Sequence, residues 1–420
     1  MTFPRSPAGG PRTSAPSTRT RNGRCGRSFP SILARATGGP WTDGAAVIRV
    51  AGHSYPSTPE RYAPIMSIRE QLQQAGILPY GSDELRLYEQ RLTRYFTREY
   101  QRLAAAGTES DIQAIPTDQG PMWDETDELM EQHFDADSTL FRAFLDPEFM
   151  AYTTAYYGET PEQIRASSAT LEQAERAKFD LICQRAGIRG DEKVFNIGCG
   201  FGPLETYLLG RYPQMEITSI TPSRVQTGYI RECMEQPGHP LHGRNLTLIE
   251  GDFSAVPLAD LGEQRYDIVM AVGAFEHVNN LRAAFQRIHA LLKPGGRLFL
   301  HLIVSRPVFP QYHDSSRTLI GKFFPGGHIW PIRVIEEQDE FFDLKGSWYL
   351  NGFNYWRTLE EWHRRFWDNI ERLYGDTLSE AEIRHWNDYF IQCKVVLFAP
   401  GDGEVYGNGH FLFERREPTR

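Results

Sequence analysis

The segment Tyr266–Val278, YDIVMAVGAFEHV, sets a carboxyl, Glu276, beside an imidazole, His277, at the end of an apolar run. Ile268 to Val272 read as a buried strand, and Gly273, Ala274 and Phe275 keep the surroundings apolar. An acid on a loop is ordinarily solvated, whereas one held against apolar walls has a raised pKa. Adjacent residues on a turn point apart, so Glu276 is read as the chemical residue and His277 as a capping or supporting one.

A second group of residues could hold a ligand. VFNIGCGFG places Gly198, Gly200 and Gly202 after an apolar strand and before a helix. The spacing is GxGxG, whereas a dinucleotide fingerprint has GxGxxG and clamps a pyrophosphate. Without a Cβ such a turn lets backbone approach a ligand closely, which suits a nucleoside with an amino-acid tail. Asp252 and Phe253, in EGDF, could bond an adenine amino group and cover its ring. Thr221 to Ser223, in TPS, stand where nucleotide folds contact ribose.

These residues require a scaffold, and the pattern from about residue 168 supplies it. Helix-like SSATLEQAERAKFDLICQRAGI, with Thr170 and Gln173 placed for a capping box, precedes strand-like KVFNIG. Helix-like and strand-like segments then alternate through PLETYLLGRY, MEITSI, RVQTGYIRECM, LTLIEG, YDIVMAV, LRAAFQRIHALL and RLFLHLIV. LKPGG closes the last of these helices with a turn. Such alternation predicts an α/β fold with a mostly parallel sheet and helices on both faces.

Residues 305–385 interrupt that order with the aromatic-rich stretches KFFPGGHIWP, DEFFDLKGSWYLNGFNYW and EEWHRRFW. A closing helix and strand, YFIQCKVVLFAP and VYGNGHFLFERR, follow. Upstream, residues 66–145 alternate helical segments with turns; DELRLYEQRLTRYFTREYQRL has a broad apolar face and DETDELMEQHF is an acidic, solvated helix. This region shows no chemistry of its own. Residues 1–65, rich in Gly, Pro, Ser, Thr and Arg, read as a disordered, dispensable tail, with an organelle targeting segment or a start at Met66 as the other readings.

Bulk properties exclude several functions. The chain has 420 residues and a net charge of −9, but its first 42 residues hold seven Arg and no Lys, Asp or Glu, which leaves −16 on the remainder. So acidic a body is a poor nucleic-acid binder. There is no apolar run of membrane-spanning length, and the five cysteines have no CxxC spacing, which argues against a metal site or disulfide framework and for a reducing, cytoplasmic setting.

The ordered motifs resemble a class I S-adenosylmethionine (SAM) methyltransferase, with its Rossmann-like seven-stranded sheet. TTAYY, IGCGFG, ITPSRVQ, VGAFEHV, LLKPGGRLFLH, FFPGG and NYWRTLEEWHRRF resemble, more narrowly, the cyclopropane-fatty-acyl-phospholipid and mycolic acid cyclopropane synthases, over roughly residues 145–416. With the tail and the helical region at 66–145, which the resemblance does not reach, this divides the chain into three parts, the third a methyltransferase domain at 146–416 with a cap insertion at about 305–385.

It also implies methyl transfer from SAM to a carbon–carbon double bond of an unsaturated acyl chain, through a carbocation. Proton loss then closes a cyclopropane, while relatives give methyl-branched or hydroxylated products. Bicarbonate is that family's candidate base. By position its pocket falls on Glu276, His301, Ile303 and Tyr355, with Thr154 where the family has a cysteine. Thr154 puts ring closure in doubt, and Asn196 replaces the usual aspartate ahead of the glycine turn. Cofactor contacts fall on Tyr152, Thr153, Gly198, Cys199, Gly200, Gly202, Thr221, Ser223, Gln226, Asp252 and Phe253.

The implied partners are an unsaturated acyl lipid or another hydrophobic small molecule, presented on a membrane surface or an acyl carrier, and no nucleic acid. One alternative is C- or N-methylation of a non-lipid natural product, since plant alkaloid N-methyltransferases resemble the same family. Those enzymes tend to carry a second acid where this chain has Gly273. The other alternative, a SAM-binding regulatory or scaffold protein, leaves Glu276, His301 and Tyr355 without purpose.

Overall fold

The computed structural model describes residues 66–106, 116–123, 138–307, 311–312 and 328–417. The expected tail, the acidic helix DETDELMEQHF and the FFPGG motif lie outside them. Every described residue belongs to one compact unit.

Among the described residues three helices come first: α1 (Ile68–Gln74), α2 (Asp83–Ala106) and α3 (Ser138–Phe144). Ser67 and Glu70 form a reciprocal capping box that starts α1. Two more helices, α4 (Pro161–Ala166) and α5 (Leu171–Ala186), precede the sheet. The Thr170–Gln173 box expected from sequence starts α5, and Gly187, at φ 67°, ends it.

The alternating half follows as β1 (Lys193–Ile197), α6 (Pro203–Arg211), β2 (Glu216–Thr221), α7 (Arg224–Glu235), β3 (Leu246–Glu250), α8 (Leu258–Leu261), β4 (Tyr266–Val272), α9 (Leu281–Leu291) and β5 (Leu292–Ser305). Then come β6 (Gln311–Tyr312), β7 (His328–Pro331), α10 (Ile332–Glu336), β8 (Phe342–Leu350), α11 (Phe353–Asp368), α12 (Ile370–Leu373), α13 (Glu380–Gln392), a π-helical turn (Cys393–Phe398) and β9 (Tyr406–Arg415).

Strands β3-β2-β1-β4-β5 are parallel. On the far edge β9 runs antiparallel to β5, and β8 antiparallel to β9. These seven strands make the mixed sheet of the class I SAM-methyltransferase fold, and the short β6–β7 pair joins β5 at Val304 and Ser305. Parallel strands buried on both faces account for runs such as Ile268–Ala271, four residues with no exposure. One apolar layer, with Phe285, Ile288 and Phe413, lies on one face. The other, with Phe179, Leu208 and Ile230, lies on the opposite face.

One expectation needs correction. The stretch expected as an interrupting cap, 305–385, contains β8, which completes the sheet edge. Its two-residue alternation is broken at Lys345, which the ladder passes over between Leu344 and Gly346, so the aromatics alone do not reveal a strand. The LKPGG turn follows α9 as expected: Leu292 alone of its residues pairs with β4, opposite Tyr266, and the ladder resumes only at Arg297, opposite Ile268, with Gly295 at φ 70° between them.

The N-terminal helices are fastened to the carboxyl-terminal part. Lys394, fully buried in the π-helical turn, meets Glu89 of α2 at 2.6 Å and also pairs with Glu360 of α11. Tyr80 reaches the same Glu360 through its hydroxyl at 3.1 Å.

Candidate functional site

The carboxyl ends of β1, β2, β3 and β4 open on one cleft of about 940 Å³, counting the solvent-filled space at its mouth. β1 ends in the glycine turn. Gly198 adopts φ 71°, and a Cβ there would stand 2.6 Å from Ala274 Cβ, so only glycine fits. Gly200, at φ 56°, faces open space on the cavity wall, as a cradle for a ligand requires. Of the eleven residues assigned to the cofactor from sequence, nine line this cavity: Tyr152, Thr153, Gly198, Cys199, Gly200, Thr221, Gln226, Asp252 and Phe253.

The other two serve the turns that shape it. Gly202 starts α6 at φ 78°, and Ser223 caps α7 by accepting the Gln226 N–H. Thr221 Oγ1 donates to Gln226 Oε1 at 2.8 Å, which fixes the end of β2 over the cavity. Asn196, where the related enzymes have aspartate, lies off the cavity. Its Nδ2 donates to Glu205 Oε1 at 2.7 Å, and Ser219 Oγ donates to the same oxygen at 2.6 Å.

Trp123 was missed. Its Nε1 donates to Asp252 Oδ1 at 2.8 Å, its ring meets Phe253 edge to face, and it lines the cavity. The region expected to carry no chemistry thus supplies part of the site. A lone Trp beside an acidic run offers no periodic signal that could have found it.

A second cavity lies beyond Tyr152, Thr153, Gly273 and His277, which line both. Thr153 is braced from below by Lys178 of α5, whose Nζ donates to Thr153 Oγ1 at 2.8 Å and pairs with Glu175, all within the interior. Gly273, at φ 76°, lies so close to Thr153 that a Cβ would stand 2.3 Å from its Cγ2. Tyr152 bonds Tyr389 hydroxyl to hydroxyl at 3.2 Å.

Glu276, Ile303 and Tyr355 line this second cavity together. The β4 ladder ends at Val272, opposite His301, so the next amide of β5 on that edge, Ile303 N–H, is free to donate to Glu276 Oε1 at 2.9 Å. Glu276 Oε2 is buried with no hydrogen-bond partner among the described residues. Burial pushes the Glu276 carboxyl up to about 7, against the opposing pull of its own and the Ile303 backbone N–H. His277 is driven the other way by burial, to about 4, and is neutral near pH 7.

Tyr355 stacks on Phe398 at 4.3 Å and meets Trp362 at a right angle. Ile329, Leu359, Leu397 and Cys393 complete an apolar wall. His301 and Thr154 do not line either cavity. His301 is fully buried behind the wall, 2.7 Å from His410 and 3.3 Å from the Asn408 amide. Thr154 is fully buried too, and its hydroxyl donates to Ala155 O. The cavity-lining Tyr389, Cys393, Phe398 and Asn408 were missed, because they come from the closing helix and strand, where they read as packing residues.

Residues 123–406 match the family model of mycolic acid cyclopropane synthetase. The chain is 30% identical over 273 residues to the cyclopropane-fatty-acyl-phospholipid synthase of Escherichia coli, covering 64% of each chain. It thus spans just under two thirds of that relative's length. It is 28% identical to the (S)-coclaurine N-methyltransferase of Thalictrum flavum, over 59% of this chain and 70% of that one. A crystal structure of a coclaurine N-methyltransferase bound to N-methylheliamine and SAH superposes with a TM-score of 0.68 at 23% identity, covering 82% of this chain and 99% of that one. With the class I SAM-methyltransferase fold and a family match across most of its length, the chain belongs to the mycolic acid cyclopropane synthetase family.

Proposed function

We propose that this protein is a SAM-dependent C-methyltransferase acting on a carbon–carbon double bond, in an unsaturated fatty acyl chain, with a cyclopropane or methyl-branched product formed through a carbocation. The observation that carries this reading is Glu276. A buried carboxyl, tied at one oxygen to Ile303 N–H, stands on the wall of a mostly apolar cavity. A long alkyl chain binds through apolar area, and the walls formed by Leu359, Leu397, Phe398 and Ile329 provide it.

The first cavity fits SAM: a glycine turn open at Gly200, two aromatic rings at Trp123 and Phe253, and polar groups at Thr221, Gln226 and Asp252. Bound there, SAM would supply an electrophilic methyl group. Tyr152, Thr153, Gly273 and His277 separate the two cavities and would orient an acceptor against it. Glu276 Oε2 would accept a hydrogen bond from a small protonated oxyanion such as bicarbonate, the base that takes the proton from the cation. The aromatic rings of Tyr355 and Phe398, which line this cavity, would stabilise positive charge on the acceptor.

N-methylation of a non-lipid amine is the second reading, supported by the likeness to the coclaurine enzyme. Gly273 speaks against it: the Thr153 methyl occupies the space an acidic side chain would need there. Expression in a host with monounsaturated lipids, followed by mass spectrometry of the fatty acids, tests the proposal. A gain of one CH2 on unsaturated chains is expected, and unchanged lipids would move the reading to the amine.

A further inference from the structure

Behind the wall of the acceptor cavity runs a chain of four polar side chains, Arg185, His410, His301 and Asn408. His301 on β5 and His410 on β9 are direct cross-strand partners, as are Ile303 and Asn408, so the side chains of His301, His410 and Asn408 share one face of the sheet. Arg185, near the end of α5, stacks on Trp348 at 5.0 Å and places Nη1 2.9 Å from His410 Nδ1. His410 Nε2 lies 2.7 Å from His301 Nδ1, and His301 Nε2 lies 3.3 Å from the Asn408 amide. Both histidines and Asn408 are almost wholly buried, and Asn408 alone of the four lines the cavity.

The direction of this chain follows from its first member. A guanidinium only donates, so His410 Nδ1 must accept. A neutral imidazole carries one N–H, which for His410 is then on Nε2 and is given to His301 Nδ1. That leaves the His301 proton on Nε2, where it meets the Asn408 amide. An amide turns end for end within the same outline, so the oxygen of Asn408 takes this proton and its NH2 turns away from His301. Burial holds both rings neutral, and the Arg185 charge adds to that effect.

We infer that Arg185 and His410 are positioning residues that lock His301 as its Nε2–H tautomer and, through it, make Asn408 an obligatory N–H donor at the wall of the acceptor cavity that also holds Glu276. Such a donor suits an oxygen of a small oxyanion or a carbonyl oxygen. The inference rests on the proposed acceptor reading only for what the donor meets. The order of protons along the four residues is independent of it.

The test uses full-length protein labelled with 15N-histidine, with the two rings assigned by His410→Gln and His301→Gln. Long-range proton–nitrogen correlation spectra near neutral pH should show both rings neutral with Nε2 protonated. A charged ring, or a proton on Nδ1 of either ring, would overturn the inference. His410→Phe should return His301 to a mixture of tautomers, whereas His410→Gln, whose amide can still donate to His301 Nδ1, should keep it locked. In methyl-transfer assays His410→Phe should lower kcat by about tenfold, the scale of one buried hydrogen bond, with SAM affinity unchanged. His410→Gln should restore most of it. Equal losses in both variants would mark His410 as structural packing and contradict the positioning role. An inactive wild type bears on the acceptor reading alone, because the ring tautomers are read without substrate.

Discussion

Glu276 Oε1 accepts the backbone N–H of Ile303 at 2.9 Å, while Glu276 Oε2 is buried with no hydrogen-bond partner among the described residues. One oxygen anchors the carboxyl and the other is left for a ligand. Glu276→Gln keeps the shape and the anchor but weakens the acceptor at the second oxygen. Turnover should fall by at least about a hundredfold, the scale of one lost electrostatic contact in a dry site. SAM affinity by calorimetry should stay within about threefold, because Glu276 is absent from the first cavity. Retained turnover would remove Glu276 from the mechanism.

The same burial predicts a pH dependence of stability. The folded carboxyl titrates at about 7 against an ordinary value of 4.5, so the folded state binds the extra proton between these values. Stability therefore falls as pH rises through that window and is level above it. His277 acts oppositely, its pKa of about 4 giving stability that rises with pH up to its ordinary 6.5. The difference between wild type and Glu276→Gln isolates the carboxyl. From about pH 5 to about pH 8 the variant should gain on the wild type by at most roughly 3 kcal/mol in urea unfolding. A difference that does not change with pH would contradict the assigned shift.

Gly273 holds the junction between the cavities open. At φ 76°, with Thr153 Cγ2 2.3 Å from where a Cβ would stand, Gly273→Ala combines backbone strain with a clash. The expected result is a loss of roughly 1–3 kcal/mol in stability and weaker SAM binding by calorimetry. Unaltered binding and melting temperature would mean that Thr153 moves aside freely.

Lys178 and Glu175 form an ion pair with no exposure, beneath Thr153. Lys178→Met leaves a buried acid without its partner and should cost roughly 3–5 kcal/mol in urea unfolding. Adding Glu175→Leu should recover most of it, since a buried ion pair can be replaced by apolar residues at little cost. The double variant should still bind SAM more weakly than wild type, because Thr153 Oγ1 has lost its donor.

Much of this was legible in the sequence because strand and ligand turn announce themselves locally. The apolar run before Gly198 and Gly200 marks β1 and its open turn, and the run before Glu276 marks β4 delivering an acid to the carboxyl edge of the sheet. Less legible was whatever depends on which face a residue takes across the sheet or from a distant element. Thr153 and Thr154 are neighbours, yet Thr153 lines both cavities and Thr154 turns into the interior. His301 reads as a pocket residue by position, but His410, more than a hundred residues away, holds it behind the wall. Trp123 reaches Asp252 from a region whose periodicity describes only helices.

The central claim, methyl transfer to an alkene, is tested most directly with purified protein, SAM carrying a 13C-methyl group, and vesicles of a monounsaturated phospholipid. The reaction products are read by 13C spectroscopy, with a secondary amine offered in a parallel tube. Label on a ring or branch carbon of the acyl chain, absent from Glu276→Gln, is the predicted result. Label on the amine nitrogen with none on the acyl chain would contradict it.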